Sequence, residues 1–330
     1  MKVVMPLAGK GVRLRPHTHL TPKPLLKVGD KPVLSYILDD LRDLGVRETV
    51  CITGHLKERI EDFMAVEYPD FRTVYVEQTT QRGTADAIAL AEPHVAEDLL
   101  IIFVDTLFDA DLSLVNRLGD DVAGVIWAKE VEDYQRFGVI VTDENGFMTR
   151  IVEKPREPVS RLANIGLYYI RDWRLLFEGV RHVLASAPGA GGEYVLTDAF
   201  QYMIDHGAKL MVAPVEGWYD AGTTDTLLET NQHVLGTTRA RAPAPAPGVT
   251  VHAPVHVAEG VTLEDAEIGP HVTLAAGVTV RGSRLRNSIV GEGATIEGST
   301  LHDSLIGKNV RVEGVHGRVD LGDDSVVRMT

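Results

Sequence analysis

The sequence predicts an α/β protein, an open and mostly parallel sheet with helices on both faces, followed by a small separate β-structure. Three observations predict it. From residue 1 to about 236, short β-branched runs alternate with helical periodicity, the pattern of strand–helix–strand units. An Ala/Pro stretch then interrupts the chain at 237–248. Beyond it glycine recurs, aromatic residues vanish and no segment keeps a helical period.

In the first region Val3 to Leu7, Thr49 to Thr53, Thr73 to Val76 and Leu99 to Val104 read as buried strands. Val33, Leu34, Ile37, Leu38, Leu41 and Leu44 fall on one face at helical spacing, with Asp39, Asp40, Arg42 and Asp43 opposite, and Gly45 ends the helix. Folds of this class bind ligands outside the carboxyl ends of their strands. The alternating prolines of 237–248 impose extended backbone with few donors, the character of a linker. In the last region, 249–330, Ser288, Gly291, Glu297 and Gly298 recur sixteen residues later as Ser304, Gly307, Glu313 and Gly314. Ile268-Gly269 precedes Val290-Gly291 by sixteen plus six residues. A six-residue step with variable corners predicts a β-helix, one aliphatic residue pointing inward per short strand. The competing reading is a β-sandwich with accidental periodicity.

Length and composition agree with this. The 330 residues exceed one ordinary domain, and 44% hydrophobic with 24% charged residues exclude bulk disorder. A net charge of -14 disfavours a nonspecific grip on nucleic acid, so bound phosphates are expected to be small and locally recognised. Cys51 is the one cysteine, which excludes an intrachain disulfide and fits a reducing cytoplasm. No apolar run approaches the roughly eighteen residues of a membrane span, and the first ten residues lack a signal-peptide core. The expectation is a cytoplasmic protein with no membrane or nucleic-acid partner.

The first strand runs into Leu7-Ala8-Gly9-Lys10-Gly11-Val12-Arg13-Leu14-Arg15-Pro16. Glycines let backbone N–H groups approach a phosphate, and Arg13 can present a bidentate fork to its oxygens. The third glycine of a dinucleotide fingerprint is missing, which disfavours a nicotinamide-dependent dehydrogenase, and so is the full P-loop pattern. Lys23, pinned between Pro22 and Pro24, is a rigidly placed ammonium suited to charge developing on phosphorus.

Leu7-Ala8-Gly9-x-Gly11-x-Arg13-Leu14-x-Pro16 followed by Pro22-Lys23-Pro24-Leu25 resembles the signature of the sugar-1-phosphate nucleotidylyltransferases. The resemblance continues through Gln78, Gly83-Thr84-Ala85, Asp105, Phe137-Gly138-Val139, Val152-Glu153-Lys154-Pro155, Gly192-Glu193-Tyr194-x-Leu196-Thr197-Asp198 and Trp218-Tyr219-Asp220-x-Gly222-Thr223. It spans nearly all of residues 1 to 225. It implies a Rossmann-like sheet, and the C-terminal repeats are similar to the left-handed hexapeptide β-helix that many members append. It also implies an enzyme that joins a nucleoside triphosphate to a sugar 1-phosphate, releases pyrophosphate and uses Mg2+.

Carried over by position, the resemblance implies that Gly9, Gly11 and Arg13 hold the triphosphate, that Lys23 stabilises the transferring α-phosphate, that Gln78 and Gly83 read the base, and that Leu7, Ala8 and Thr84 also bind the nucleotide. A carboxamide at Gln78 offers a donor and an acceptor to a base, and Gly83 leaves room for a ring to lie on backbone. Asp105, following an apolar run, and Asp220 would hold the metal. Gly138, Glu153, Asn164 and Thr223 would contact sugar hydroxyls, and Lys154 the sugar phosphate. Val12 stands where members usually have threonine, and Val104 where they have glycine. The 218–223 stretch looks like the glucose-type thymidylyl and uridylyl enzymes, which favours dTTP or UTP and glucose 1-phosphate.

Two alternatives accompany this reading. One is a bifunctional enzyme whose β-helix transfers acyl groups with His271, His302 or His316 as base; the other is a non-catalytic regulatory paralogue. A solenoid of few coils leaves an open end, so a homo-oligomer is expected. All the named site positions precede the linker, so the first region is expected to stand without the β-helix.

Overall fold

A computed structural model describes residues 1–189, 191–237, 239–244 and 246–329. Four of the predicted runs form the parallel strands Lys2–Pro6, Glu48–Thr53, Arg72–Glu77 and Leu99–Ile102. Lys2–Pro6 lies between Glu48–Thr53 and Leu99–Ile102, and Arg72–Glu77 is outermost. Valine, isoleucine and leucine dominate the inner strands because both faces are covered, whereas no residue of the outermost, Arg72–Glu77, is fully buried. Val4, Val50, Ile52, Leu99 and Ile101 pack against helices α3 (Thr84–Ala89), α4 (Trp173–Ala185) and α5 (Leu196–Asp205). Their alternates Val3, Met5, Cys51, Leu100 and Ile102 are also fully buried, on the other face by the period-two rule.

The sheet is more mixed than the sequence pattern indicates. Leu162–Ile170 runs antiparallel to Leu99–Ile102, to Gly138–Thr142 and to Gly124–Glu130, while Leu210–Pro214 returns parallel to Gly124–Glu130. Gly138–Thr142 and Met148–Glu153 form an antiparallel hairpin, its turn held by Asp143, whose Oδ1 accepts from the Asn145 and Phe147 N–H groups at 2.9 Å. The strand at Leu99 ends at Ile102 and not at Val104. Its neighbour shifts register between Asn164 and Tyr168, where Gly166 takes φ +79° against Phe103. Helix α1 (Val33–Asp43) follows its apolar spacing, with Leu34, Ile37, Leu38 and Leu41 buried, and Gly45 closes it at φ +81°.

After helix α6 (Thr224–Gly236), the last region is a parallel β-helix of short strands in an eight-stranded and a five-stranded sheet. The sixteen-residue offset is its pairing register: Ser288 pairs with Ser304, Val290 with Ile306, Ile296 with Val312 and Glu297 with Glu313. Upstream, Ile268 pairs with Leu285 while Leu274 pairs with Val290. The six residues from Ile268 to Leu274 therefore turn a corner within one coil, and the next sixteen climb to the following coil. Val272, Leu274, Val278, Val280, Val290, Ile296 and Val310 fill the bore. Ser283, Ser288, Ser299 and Ser304 are buried, and their hydroxyls cap the next coil's backbone, as in Ser299 N to Ser283 Oγ at 3.0 Å. Within the Ala/Pro stretch, Thr238 and Pro245 lie outside the described residues, and Arg241 bridges to His256 in the first coil.

The chain divides into two compact units, one of residues 1–9 and 37–218 and the other of 10–36 and 219–330. The cationic loop thus groups with the β-helix. Within that second unit, Asn231 Oδ1 accepts from Gly29 N at 2.8 Å and from Thr273 Oγ1 at 2.7 Å, and Lys27 pairs with Glu292 at 2.6 Å. Among the described residues no helix is long and apolar enough to cross a membrane.

A chain ended after residue 237 tests the independence of the first region. Removing 249–330 takes a partner from buried Asn231, Thr224 and His17, at about 1–3 kcal/mol for each unsatisfied group. Limited proteolysis should then cut within 10–36, and the melting temperature should fall. A truncated chain equally resistant in that segment would show that the loop holds itself.

Candidate functional site

The predicted residues fall into three groups. The first lies at the carboxyl ends of the parallel strands. Leu7 and Ala8 are buried, and Leu7 N donates to Ile52 O at 2.7 Å. Gly54 lets Ala8 approach, since a Cβ there would lie 3.0 Å from the alanine methyl, and Gln81 donates to Ala8 O. A Cβ on Gly9 would meet nothing within 4 Å. Gln78 continues the strand Arg72–Glu77, its N–H on Thr53 O at 2.8 Å, and it is only 7% exposed. Its Nε2 donates to Asp86 Oδ2 at 2.9 Å and to Gly83 O at 3.3 Å. A base reaching this amide would meet Oε1, or would take over the longer bond.

Gly83 differs from the expectation in its physical reason. At φ +126° its missing side chain leaves room for the backbone of Tyr194, whose O and N would lie 2.3 and 2.6 Å from a Cβ. The close approach is cross-chain, with Ala85 N on Tyr194 O at 2.9 Å and Tyr194 N on Arg82 O at 2.8 Å. The Thr84 hydroxyl accepts from Leu196 N at 2.8 Å. Asp86, which sequence reasoning missed, is buried and joins Arg82 to Gln78. The visible signal was a carboxylate three residues past Gly83 on an otherwise apolar helical face.

The second group sits on the antiparallel strands. Glu153 pairs with Gly138 in register, and Asn164 Nδ2 donates to Gly138 O at 2.9 Å. A Cβ at Gly138 would fall 2.5 Å from Asn164 Nδ2, 2.8 Å from Glu153 Oε2 and 3.3 Å from the Thr197 methyl. Glycine is required because these groups converge there. Tyr168, also missed, donates its hydroxyl to Asn164 Oδ1. Its own ionisation is pushed up by burial and by the carboxylates of Glu153 and Asp105, so Asp105 bears on the same hydroxyl. Asp105 is half-buried, one residue after buried Val104. Burial pushes the Glu153 carboxyl up, against the Lys154 ammonium 3.8 Å away, and burial alone does the same to Asp198. Both acids line a cleft of about 470 Å³ with Arg150 and Gln201. Lys154 holds φ +43° with its N–H on Phe137 O at 3.0 Å, and its side chain is exposed. Such a conformation persists where surroundings fix it.

The third group belongs to the second unit. Gly11, at φ +58°, caps a short 3-10 turn over Val12–Leu14, and Thr18 Oγ1 donates to Gly11 O at 2.8 Å. A Cβ on Gly11 would lie 2.8 Å from Thr18 Cγ2 and 3.2 Å from Lys23 Cβ. The two halves of the motif are thereby adjacent. Val12, where a hydroxyl was noted as missing, is 59% exposed. At Gly222 a Cβ would sit 2.7 Å from Asp220 Oδ1 and 3.1 Å from Arg13 Nη2, so cation and carboxylate flank one glycine. Thr223 is the N-cap of α6 in a reciprocal capping box with Thr226, which engages the hydroxyl expected to meet a sugar.

Residues 2–237 match the nucleotidyl transferase family. The chain belongs to that family. It is 34% identical to a UTP–glucose-1-phosphate uridylyltransferase of Haloferax volcanii over 66% of this chain and 89% of the relative. It is 30% identical to a glucose-1-phosphate thymidylyltransferase of Streptomyces antibioticus over 88% and 87%. A crystal structure of a putative glucose-1-phosphate thymidylyltransferase from Bacillus anthracis superposes with a TM-score of 0.61 at 27% identity, covering 70% of this chain and 94% of that one. The chain spans 54% of the bifunctional GlmU protein of Methanococcus aeolicus, at 34% identity. The sequence resemblance and the fold class are thus borne out at the level of the family.

The raised Glu153 carboxyl has a consequence for stability. A carboxyl titrating above its ordinary range binds protons more readily folded than unfolded, so stability falls as pH rises from the usual glutamate range through the raised value. In Glu153→Gln this contribution is gone. Thermal melts across that window should show a smaller fall with rising pH than in the wild type. Superimposable profiles would mean that Glu153 titrates as an exposed acid.

Proposed function

We propose that this enzyme joins a nucleoside triphosphate, dTTP or UTP by preference, to a sugar 1-phosphate, glucose 1-phosphate by preference, and releases pyrophosphate. The observation that carries the reading is the adjacency of Gly11 and Lys23, with Arg13 in the same loop, in a chain of this family. In this reading the positive φ turn at Gly11 and the cations of Arg13 and Lys23 serve a phosphate-sized anion. The names of the relatives from Haloferax and Streptomyces support the sugar and the two nucleotides.

In this reading Gln78 meets the base and Arg13 grips the triphosphate. Glu153, Asn164 and Gly138 hold sugar hydroxyls and Lys154 the sugar phosphate. An oxygen of the sugar phosphate attacks the α-phosphorus; the bond from that phosphorus to the bridging oxygen breaks, and its electron pair leaves with pyrophosphate. Because the attacking oxygen is already anionic, no general base is required, and rate comes from positioning and charge neutralisation. Lys23 supplies the ammonium toward which charge grows.

Among the described residues no group of three or more His, Cys, Asp or Glu side chains could hold a metal ion. Asp105, in the first unit, and Asp220, in the second, are half-buried carboxylates. Hard oxygen donors in ones and twos, completed by substrate phosphates, are the donor set of Mg2+. In this reading each carboxylate would offer one such ligand, and the ion would neutralise phosphate charge.

Pyrophosphate release from each of dTTP, UTP, ATP, GTP and CTP against a panel of sugar 1-phosphates tests the reading; no release from any pair overturns it. Lys23→Ala should lower turnover by about a hundredfold or more while substrate affinity changes little. Near wild-type turnover would remove Lys23 from the chemistry. Asp105→Asn and Asp220→Asn should each raise the Mg2+ requirement, and the double variant should be little worse than the weaker single one. Additive losses in melting temperature with unchanged Mg2+ dependence would return both residues to structural roles.

A further inference from the structure

Asp320 lies in the last coil of the β-helix, 303 residues from the side chain it touches. Its Oδ1 accepts from His17 Nε2 at 2.5 Å, and its Oδ2 accepts from Thr224 Oγ1 at 2.7 Å. His17 is 5% exposed, so its ring nitrogen has little access to water as a substitute partner. Next to it Thr18, 1% exposed, donates to Gly11 O and packs where a Gly11 Cβ would be, beside Lys23. Thr224 is the first residue of α6, directly after Thr223 and two after Gly222, where Arg13 and Asp220 lie. Two residues beyond Asp320, Gly322 brings coil backbone against the signature loop, since a Cβ there would be 2.9 Å from Pro16 Cβ. The coil is seated there, not brushed by a mobile side chain. Burial alone would raise the Asp320 carboxyl; the hydrogen bonds from His17 and Thr224, with Arg318 nearby, hold it below the usual aspartate range, so a charged acceptor serves both donors.

We propose that Asp320 is a positioning residue for nucleotidyl transfer, one carboxylate of the β-helix that fixes the Arg13–Lys23 loop against the Asp220–Thr224 turn. The proposal rests on the function given above, because its consequence is the alignment of Lys23 and Arg13 on phosphate. It also assigns a task to a β-helix that otherwise carries none of the named substrate residues.

The test uses the full-length chain. Asp320→Ala should lower kcat by roughly ten- to hundredfold, the scale of a misplacement of about 1 Å, with a smaller change in KM for the sugar 1-phosphate. Amides of Leu14, His19 and Leu25, which close the loop's turns, should exchange faster in hydrogen–deuterium exchange. Thr224→Val should give part of the loss, Thr224→Ser should restore it, and Asp320→Ala with Thr224→Val should fall short of the product of the singles. Glu264→Gln, which breaks a surface pair with Arg281 on the same β-helix, should leave kcat and exchange unchanged. Wild-type kcat and unchanged exchange in a folded Asp320→Ala variant overturn the proposal, as does an equal loss in Glu264→Gln. If the wild type releases no pyrophosphate, the function fails separately, and the exchange data alone decide whether Asp320 holds the loop.

Discussion

A loop that carries cations and almost no regular structure needs partners outside itself, and in the second unit it draws them from α6 and the β-helix. Residues 10–32 contain three 3-10 turns and a two-residue hairpin pairing Lys27–Val28 with Lys31–Pro32. These leave backbone groups and long side chains to be satisfied elsewhere. The partners come from far along the chain. Gly29 N finds Asn231, Lys27 finds Glu292, and His17 finds Asp320. Ordering Arg13 and Lys23 costs side-chain entropy, and buried or partly buried anchors on α6 and on two coils of the β-helix offset it. A surface ion pair such as Lys27 with Glu292 contributes little by itself; the buried carboxamide and the buried imidazole carry more.

The cluster on the antiparallel strands follows a different rule. There the sheet does the positioning, because Gly138, Glu153 and Asn164 sit on three strands with defined register. The missing Cβ of Gly138 is filled by the groups that converge on it. Desolvation raises the carboxyls of Glu153 and Asp198. Acids in that state are responsive to any ligand that brings hydroxyl donors, since each donor favours the charged form. The Tyr168 hydroxyl donates to Asn164 in this cluster, and burial and then the carboxylates of Glu153 and Asp105 push its ionisation up.

The sequence alone determined the parallel half of the sheet, the amphipathic helix α1 and the sixteen-residue climb of the β-helix. In each case the signal is local: a run of β-branched residues, a period of 3.6, or a serine and a glycine returning at a fixed step. The motif segments Gly9 to Arg13 and Pro22 to Pro24 were legible for the same reason, since prolines and glycines dictate backbone shape wherever they stand; Val152 to Pro155 stood out only by family resemblance. Tertiary structure decided the rest. The antiparallel strands around Leu162–Ile170 alternate too weakly to reveal direction, because strand direction depends on partners far along the chain. Gly83 is needed for Tyr194, and Asp86 and Tyr168 join their clusters through side-chain hydrogen bonds to Gln78 and Asn164 that no spacing rule singles out. The seating of the signature loop on the last coil was invisible for the most basic reason. Asp320 is one aspartate among many on a solvated repeat, and only folding that brings residue 320 to residue 17 gives its carboxylate two buried donors to hold.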